Sequence, residues 1–306
     1  MDPETIIVTS EEAGERLDKL LANRYENHHS RTYFQYLIEE HLVLLNGQPV
    51  KKRMKPAEGD EVEVNFMLTP QTEIKPEQIP LDILYEDDDL IAVNKSEGMV
   101  VHPAPGNWNG TFVNGLLYHC QDLAIDPTNV RPGIVHRLDK DTTGVLLAAK
   151  NLSAQQKIID QFAGRKVIKH YLALCVGNPG SGEISAPIAR HPVHRKKMAV
   201  IESGKSAVSQ YETLGYDGQM SLVKITPLTG RTHQIRVHMK HLGHPILGDP
   251  VYGNPSFNKK LGLQRQLLHA SELVITHPTT KDSLTFKAPM PQDMRRLAMK
   301  LKDLSE

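Results

Sequence analysis

Residues 68–80, LTPQTEIKPEQIP, hold three prolines and few apolar side chains. Such a stretch suits an extended connector better than a packed element, so the chain must fold in two pieces. Its 306 residues leave room for one large domain and one small one. We place a small module over 14–75, the end of the connector over 76–80 and a main domain over 81–306.

The small piece is legible in outline. Residues 15–28 set Leu17, Leu20, Leu21 and Tyr25 at helical spacing, and Ser30 suits the N-cap of a second helix through Tyr33, Phe34, Leu37 and Ile38. Val43–Val50 reads as strand, Asn46-Gly47 turn and strand, because Asn and Gly tolerate the positive φ of a tight hairpin. A basic run, Lys51, Lys52, Arg53 and Lys55, follows at once, and Glu61–Phe66 alternates as a further strand.

In the main piece, strands are expected at Leu90–Asn94, Val145–Ala149, Tyr171–Val176, Ala207–Leu214 and Leu222–Thr226. Ser153–Ala163 reads as a Ser-capped amphipathic helix, and Thr232–Leu242 as another ended by Gly243. Strands and helices do not alternate strictly, so the fold class is α+β around a mainly antiparallel sheet.

Composition narrows the function classes. Hydrophobic residues at 39% and charged residues at 24% suit a globular protein with a real core. No run approaches the roughly 20 apolar residues of a membrane span, and Met1–Ser10 lacks a signal-peptide pattern, so a cytoplasmic protein is expected. Cys120 and Cys175 stand far apart, which suits two buried apolar residues rather than a disulfide or a zinc site. The formal charge is zero, from 36 basic and 36 acidic side chains, which by itself argues against a nucleic-acid binder. The distribution is uneven: residues 1–75 carry 9 basic against 14 acidic side chains, and the remainder 27 against 22. The long piece is therefore net basic, and it holds most of the 15 His.

Three features carry less than they suggest. Ser203-Gly204-Lys205-Ser206 contains the GKS of a phosphate loop, but Ala199 stands where the first glycine is needed. His238, His241 and His244 spread around a helix without an H-E-x-x-H pattern, so solvent contacts are expected of them rather than a metal. His191, His194, Arg195, Lys196 and Lys197 form a basic patch, a phosphate track or a solvated loop.

Residues 132–150, PGIVHRLDKDTTGVLLAAK, set a dense polar cluster between glycine-flanked segments just before an apolar strand. A rigid sheet presents functional groups at such loops. Spacing alone does not choose Asp139 over Asp141.

This stretch resembles the catalytic motif of the RluA/RluD-type RNA pseudouridine synthases. Residues 169–177, KHYLALCVG, resemble that family's tyrosine strand, and residues 230–239, GRTHQIRVHM, with 242–249, LGHPILGD, resemble its third motif. The resemblance spans about residues 80–290, and the opening piece is similar to an S-four-type RNA-binding module. It implies a catalytic domain on a long mixed, mainly antiparallel sheet and isomerisation of uridine to pseudouridine in structured RNA, without cofactor or metal. Asp139 would be the catalytic carboxylate and Arg236 its counter-charge, while Tyr171 would stack on the extruded base. Arg137 would fill the gap left in the RNA or touch its backbone. Arg231, the histidines His238, His241 and His244 and, in the small module, Arg31, Lys51, Lys52 and Arg53 would contact RNA. The implied partner is large-subunit rRNA or the assembling ribosomal subunit. The alternatives are a tRNA enzyme and a non-catalytic RNA-binding assembly factor; the oligomeric state stays open.

Overall fold

The computed structural model describes residues 3–25, 31–51, 53–66, 74–103, 107, 109–120, 123, 132–194 and 197–303. The chain divides into two compact units. One comprises Met1–Lys75 with His102–Thr111 and Asp126–Val130, the other Pro76–Val101, Phe112–Ile125 and Arg131–Glu306.

The first unit runs β1 (Glu4–Ile7), α1 (Leu17–Arg24), α2 (Arg31–Glu39), β2 (Val43–Leu45), β3 (Gln48–Pro49) and β4 (Glu61–Val64). Its antiparallel sheet has the order β1-β4-β2-β3. Asn46 and Gly47 both take positive φ, 51° and 79°, the backbone a tight hairpin between β2 and β3 requires. Leu17, Leu20 and Leu21 of α1 and Phe34, Leu37 and Ile38 of α2 bury one face each against Val43, Val62 and Val64 of the sheet. Helix α1 is shorter than the 15–28 pattern suggests: Tyr25 caps it, and the expected cap Ser30 lies outside the described residues, as do Lys52, Arg195 and Lys196. Strand β1 was not expected. It is held by its pairing with β4, a long-range partner that local pattern does not show.

The second unit runs β5 (Ile83–Glu86), β6 (Leu90–Lys95), α3 (Phe112–His119), β7 (Thr143–Ala149), α4 (Leu152–Ala163), β8 (Ile168–Val176), β9 (Ser181–Ser185), β10 (Ile188–Arg190) and β11 (Met198–Val200). It continues with β12 (Val208–Tyr216), β13 (Met220–Pro227), α5 (Gln234–His241), α6 (Pro255–Leu261), β14 (Leu268–Thr276), β15 (Ser283–Lys287), α7 (Gln292–Ala298) and β16 (Lys302–Asp303). Among the described residues ten strands form one mixed sheet in the order β16-β12-β13-β8-β14-β7-β6-β5, with β15 on β14 and β9 on β12. Among the described residues only β7 and β14 pair in parallel, so the architecture is α+β. Gly144 permits that pairing: at φ 109° a Cβ would collide with the Ala270 carbonyl across the strand gap.

The helices correct two sequence readings. Helix α4 is capped by Asn151, whose Oδ1 accepts the Ala154 N–H at 2.9 Å, and not by Ser153. Both are good cap residues worth about 1 kcal/mol, so residue type could not fix the register. Helix α5 begins at Gln234 rather than Thr232, because His233 turns left-handed at φ 53°. Ile235 and Met239 of α5 pack onto Ala173, Val223 and Ile225 of the sheet, which fixes the direction of Arg236 between them. No helix among the described residues is long and apolar enough to cross a membrane.

Candidate active site

Asp139 sits in the turn that leads into β7, closed by the Thr142 N–H donating to the Asp139 carbonyl at 3.1 Å. A buried lysine pins that turn. Lys95 ends β6 at 1% exposure, and its Nζ donates to the carbonyls of Lys140, Ser96 and Met99 at 2.7, 2.8 and 2.9 Å, one for each proton. Burial pulls its pKa down to about 8, against the opposing pull of Asp141 and Asp139. Arg265, paired with Asp293, also donates to the Asp141 carbonyl at 3.3 Å.

Arg236 Nη1 donates to Asp139 Oδ2 at 2.9 Å. The other side of its guanidinium fork meets Asp249, Nε to Oδ2 at 2.7 Å and Nη2 to Oδ1 at 3.0 Å. Arg236 and Asp249 are buried, whereas the Asp139 side chain keeps 23% of its surface. Burial works against the guanidinium charge, yet Asp249 and then Asp139 outweigh it and raise the Arg236 pKa above its ordinary value. Asp249 belongs to a tight turn whose Val251 and Tyr252 N–H groups also bond to its Oδ1. The Tyr252 ring lies under the guanidinium, 5.1 Å from Cζ to the ring centre.

These groups open onto a cavity of about 480 Å³ lined by Arg137, Asp139, Lys169, Tyr171, His233 and Arg236, among others. Tyr171 stands on β8, opposite Ile225 of β13 and Ala270 of β14. Burial, helped by the Asp139 charge, raises its phenol pKa, so the hydroxyl keeps its proton. His136 also lines the cavity; its Nε2 accepts the Leu147 N–H at 2.9 Å, and its ring stacks on Phe162 at 4.9 Å. Burial, with Lys169 nearby, pushes it down to about 3, so it is a neutral ring with its proton on Nδ1.

The structure thus gathers Asp139, Tyr171, Arg236, Arg137 and Arg231 around one cavity. Arg231 Nε is engaged by the Ser206 carbonyl at 3.0 Å. Lys51 and Arg53 are exposed on the first unit, where Arg31 Nε bonds to Asp18 at 3.0 Å. His238 needs correction: it is fully buried, its ring nitrogens bonded to Ser209 Oγ and the Ala186 carbonyl at 3.0 Å each, so it is a core group and not a solvent or RNA contact. His244 is half-buried on the Val176 carbonyl. Sequence reasoning missed Lys95 and Tyr252 and gave His233 and Asp249 no role, although both stand in the third motif; Asp249-Pro250 is a turn signal that marks the place without the role.

Among the described residues Glu86, His119 and Cys120 bring three potential metal ligands within 4.8 Å of one another. Glu86 already spends one oxygen on Lys150 and the other on His119, both at 2.9 Å, and burial raises the Cys120 thiol. The cluster works as an ion-paired corner.

Comparison with known proteins gives the family. Residues 89–241 match the RNA pseudouridylate synthases, and residues 15–62 match the S4 domain. An uncharacterized RNA pseudouridine synthase of Bacillus subtilis is 42% identical over 299 residues, 97% of each chain. The ribosomal large subunit pseudouridine synthase D of Pasteurella multocida is 41% identical over 301 residues, covering 94% of this chain and 92% of its own. The structure named human RNA pseudouridylate synthase domain containing 1 superposes with a TM-score of 0.59 at 29% identity, over 73% of this chain and 89% of that one. Fold and matches together define an isomerase acting on RNA. The chain belongs to the RNA pseudouridine synthase family and carries an N-terminal S4 domain.

Proposed function

We propose that this protein converts uridine to pseudouridine in large-subunit rRNA in the cytoplasm, with Asp139 as the catalytic carboxylate. One observation carries the assignment: Arg236 holds Asp139 Oδ2, while Oδ1 makes no hydrogen bond among the described residues, in a cavity that also presents Tyr171. One oxygen is anchored and the other is left for substrate.

The reaction breaks the bond from ribose C1′ to uracil N1, turns the base, and joins C1′ to C5. The C5 proton leaves and N1 gains one, so no electrons are exchanged and no cofactor is required. Attack on the sugar, attack on the base and removal of a ribose proton each start from Asp139 Oδ1. The base must first leave its stack at a cost of about a few kcal/mol, and the Tyr171 ring offers a replacement face. Arg137 and Arg231 at the cavity, and Arg31, Lys51, Lys52 and Arg53 of the S4 domain, supply phosphate contacts. The rRNA assignment rests on relatives near 40% identity that are named ribosomal large subunit pseudouridine synthase D.

The test is to map pseudouridine across rRNA and tRNA in cells with and without the gene, then restore it as wild type or Asp139→Asn. Large-subunit sites should vanish, return with wild type and stay absent with the variant. Loss confined to tRNA would move the substrate, and restoration by Asp139→Asn would remove Asp139 from its role.

A further inference from the structure

His233 lines the cavity and has no part in the scheme above. Its Nε2 lies 3.9 Å from Asp139 Oδ2, the same oxygen that Arg236 holds. The ring is aimed there by its surroundings. Its residue adopts φ 53° at the start of α5, a left-handed backbone that costs a non-glycine residue roughly 1 kcal/mol. The Tyr252 hydroxyl stands 2.8 Å from Nδ1, with the two rings edge to face at 5.6 Å.

Tyr252 decides which nitrogen carries the imidazole proton. Its hydroxyl oxygen already accepts the Met198 N–H at 2.8 Å, and burial raises its pKa, so the phenol proton remains available to donate to Nδ1. A neutral ring accepting at Nδ1 has its N–H at Nε2, facing the carboxylate. The other neutral tautomer would set the Nε2 lone pair against an anionic oxygen, which is repulsive, and the doubly protonated ring again turns an N–H to Asp139. Asp249 ties the arrangement together, because its Oδ1 accepts from both Arg236 Nη2 and the Tyr252 backbone N–H.

We propose that His233 is a positioning residue for Asp139, its Nε2–H acting with Arg236 to hold Oδ2 so that Oδ1 stays turned into the cavity. The proposal rests on Asp139 being the reacting carboxylate. At 3.9 Å the contact is electrostatic; bonds of this kind tighten to hydrogen-bond length in the substrate complex.

The experiment compares His233→Gln, His233→Asn, His233→Ala, Tyr252→Phe and Asp139→Asn in the full-length protein. The readouts are the single-turnover rate at saturating RNA, KM and the thermal midpoint. A glutamine amide nitrogen falls near the place of Nε2, and an asparagine nitrogen near that of Nδ1. Backbone preference runs the opposite way, since asparagine tolerates positive φ better. Positioning therefore predicts that Gln is faster than Asn although Asn is the more stable. It predicts that Ala loses about a hundredfold in rate with KM little changed, and that Tyr252→Phe, which deletes one oxygen, lowers the rate several-fold. Asn equal to or faster than Gln, or rates that follow the thermal midpoints, overturns the proposal. Should His233→Ala fail to fold, the Gln–Asn order and Tyr252→Phe still decide. If Asp139→Asn is inert while every His233 variant turns over at the wild-type rate, this inference alone falls; an active Asp139→Asn takes the proposed function with it.

Discussion

Each unit contains a buried charge cluster, and the two are completed in opposite ways. In the first unit Asp18, with no side-chain exposure, accepts from Arg16 Nε and Nη2, Arg31 Nε and Gln35 Nε2 at 2.7–3.0 Å. The acid is at the centre, and its arginines lie at the rim, 35% and 45% exposed. In the second unit the arginine is at the centre, between a sealed acid, Asp249, and one that keeps 23% of its surface, Asp139. A buried charge whose partners are saturated fastens α1 to α2. A buried charge with one partner left partly open presents that partner to a substrate.

The most severe way to break this contrast is Asp139→Asn. Turnover should fall by at least about a thousandfold, the scale expected when a positioned reacting group is lost, while RNA affinity, resting on distributed phosphate contacts, stays close to wild type. Binding assays beside single-turnover kinetics check it, and a variant keeping a tenth of wild-type rate contradicts it.

Next in size is the sealed partner. Asp249→Ala leaves Arg236 buried with half its fork unpaired, so stability should drop by about 3–5 kcal/mol and the rate should fall as Asp139 loses its mooring. Arg236→Lys sharpens the comparison. It keeps a point charge but loses the planar fork, and should be slower than wild type yet faster than Arg236→Ala. Equal rates for Lys and Ala would show that charge at this position is irrelevant. Asp18→Ala should cost less, about 2 kcal/mol, because its arginines already reach solvent, and kcat should not change.

What was legible in the sequence follows from the range of the forces involved. Leu90–Lys95 and Thr143–Ala149 announce themselves as strands because both faces are buried and the runs are apolar. Met198–Val200 is only three residues long and Ser181–Ser185 is largely polar, and each is held by its pairing, with β10 and β12 respectively. The reading of His238 as an outward contact fails because three histidines spread around a helix reach solvent only if most of that helix is exposed, yet α5 is buried at every position from Gln234 to Met239. The motif pointed to Asp139, Tyr171 and Arg236, which come from a turn, a strand and a helix far apart in sequence. Their neighbours were hidden for related reasons: Lys95 looks like the solvated end of a strand until three carbonyls surround it, and nothing in a spacing of thirteen residues says that Asp249 returns to Arg236.

The gentlest test of the contrast is pH. Burial alone would raise the Asp18 pKa, but hydrogen bonds from Gln35, Arg16 and Arg31 outweigh it and bring the carboxyl down to about 2. A folded pKa below the unfolded one contributes stability that is complete above roughly pH 4 and lost as pH falls from there toward the folded value. For Asp18 that window runs from about 4 to about 2, and the loss amounts to at most about 2 kcal/mol. Glu12 titrates in the same window: its hydrogen bond to Arg24 prevails over burial and holds it at about 2 as well. Asp18→Asn should therefore flatten only part of the acid decline, and Asp18→Asn with Glu12→Gln more of it, with a remainder from Asp60, whose carboxyl is lowered by hydrogen bonds from Asn46 and Ala57. Amide exchange in α1 and α2 across pH 2–5 reads the first unit directly, after correction for intrinsic exchange. If the double variant declines as steeply as wild type, the saturated cluster is not what fastens those helices, and the contrast with Arg236 loses its structural half.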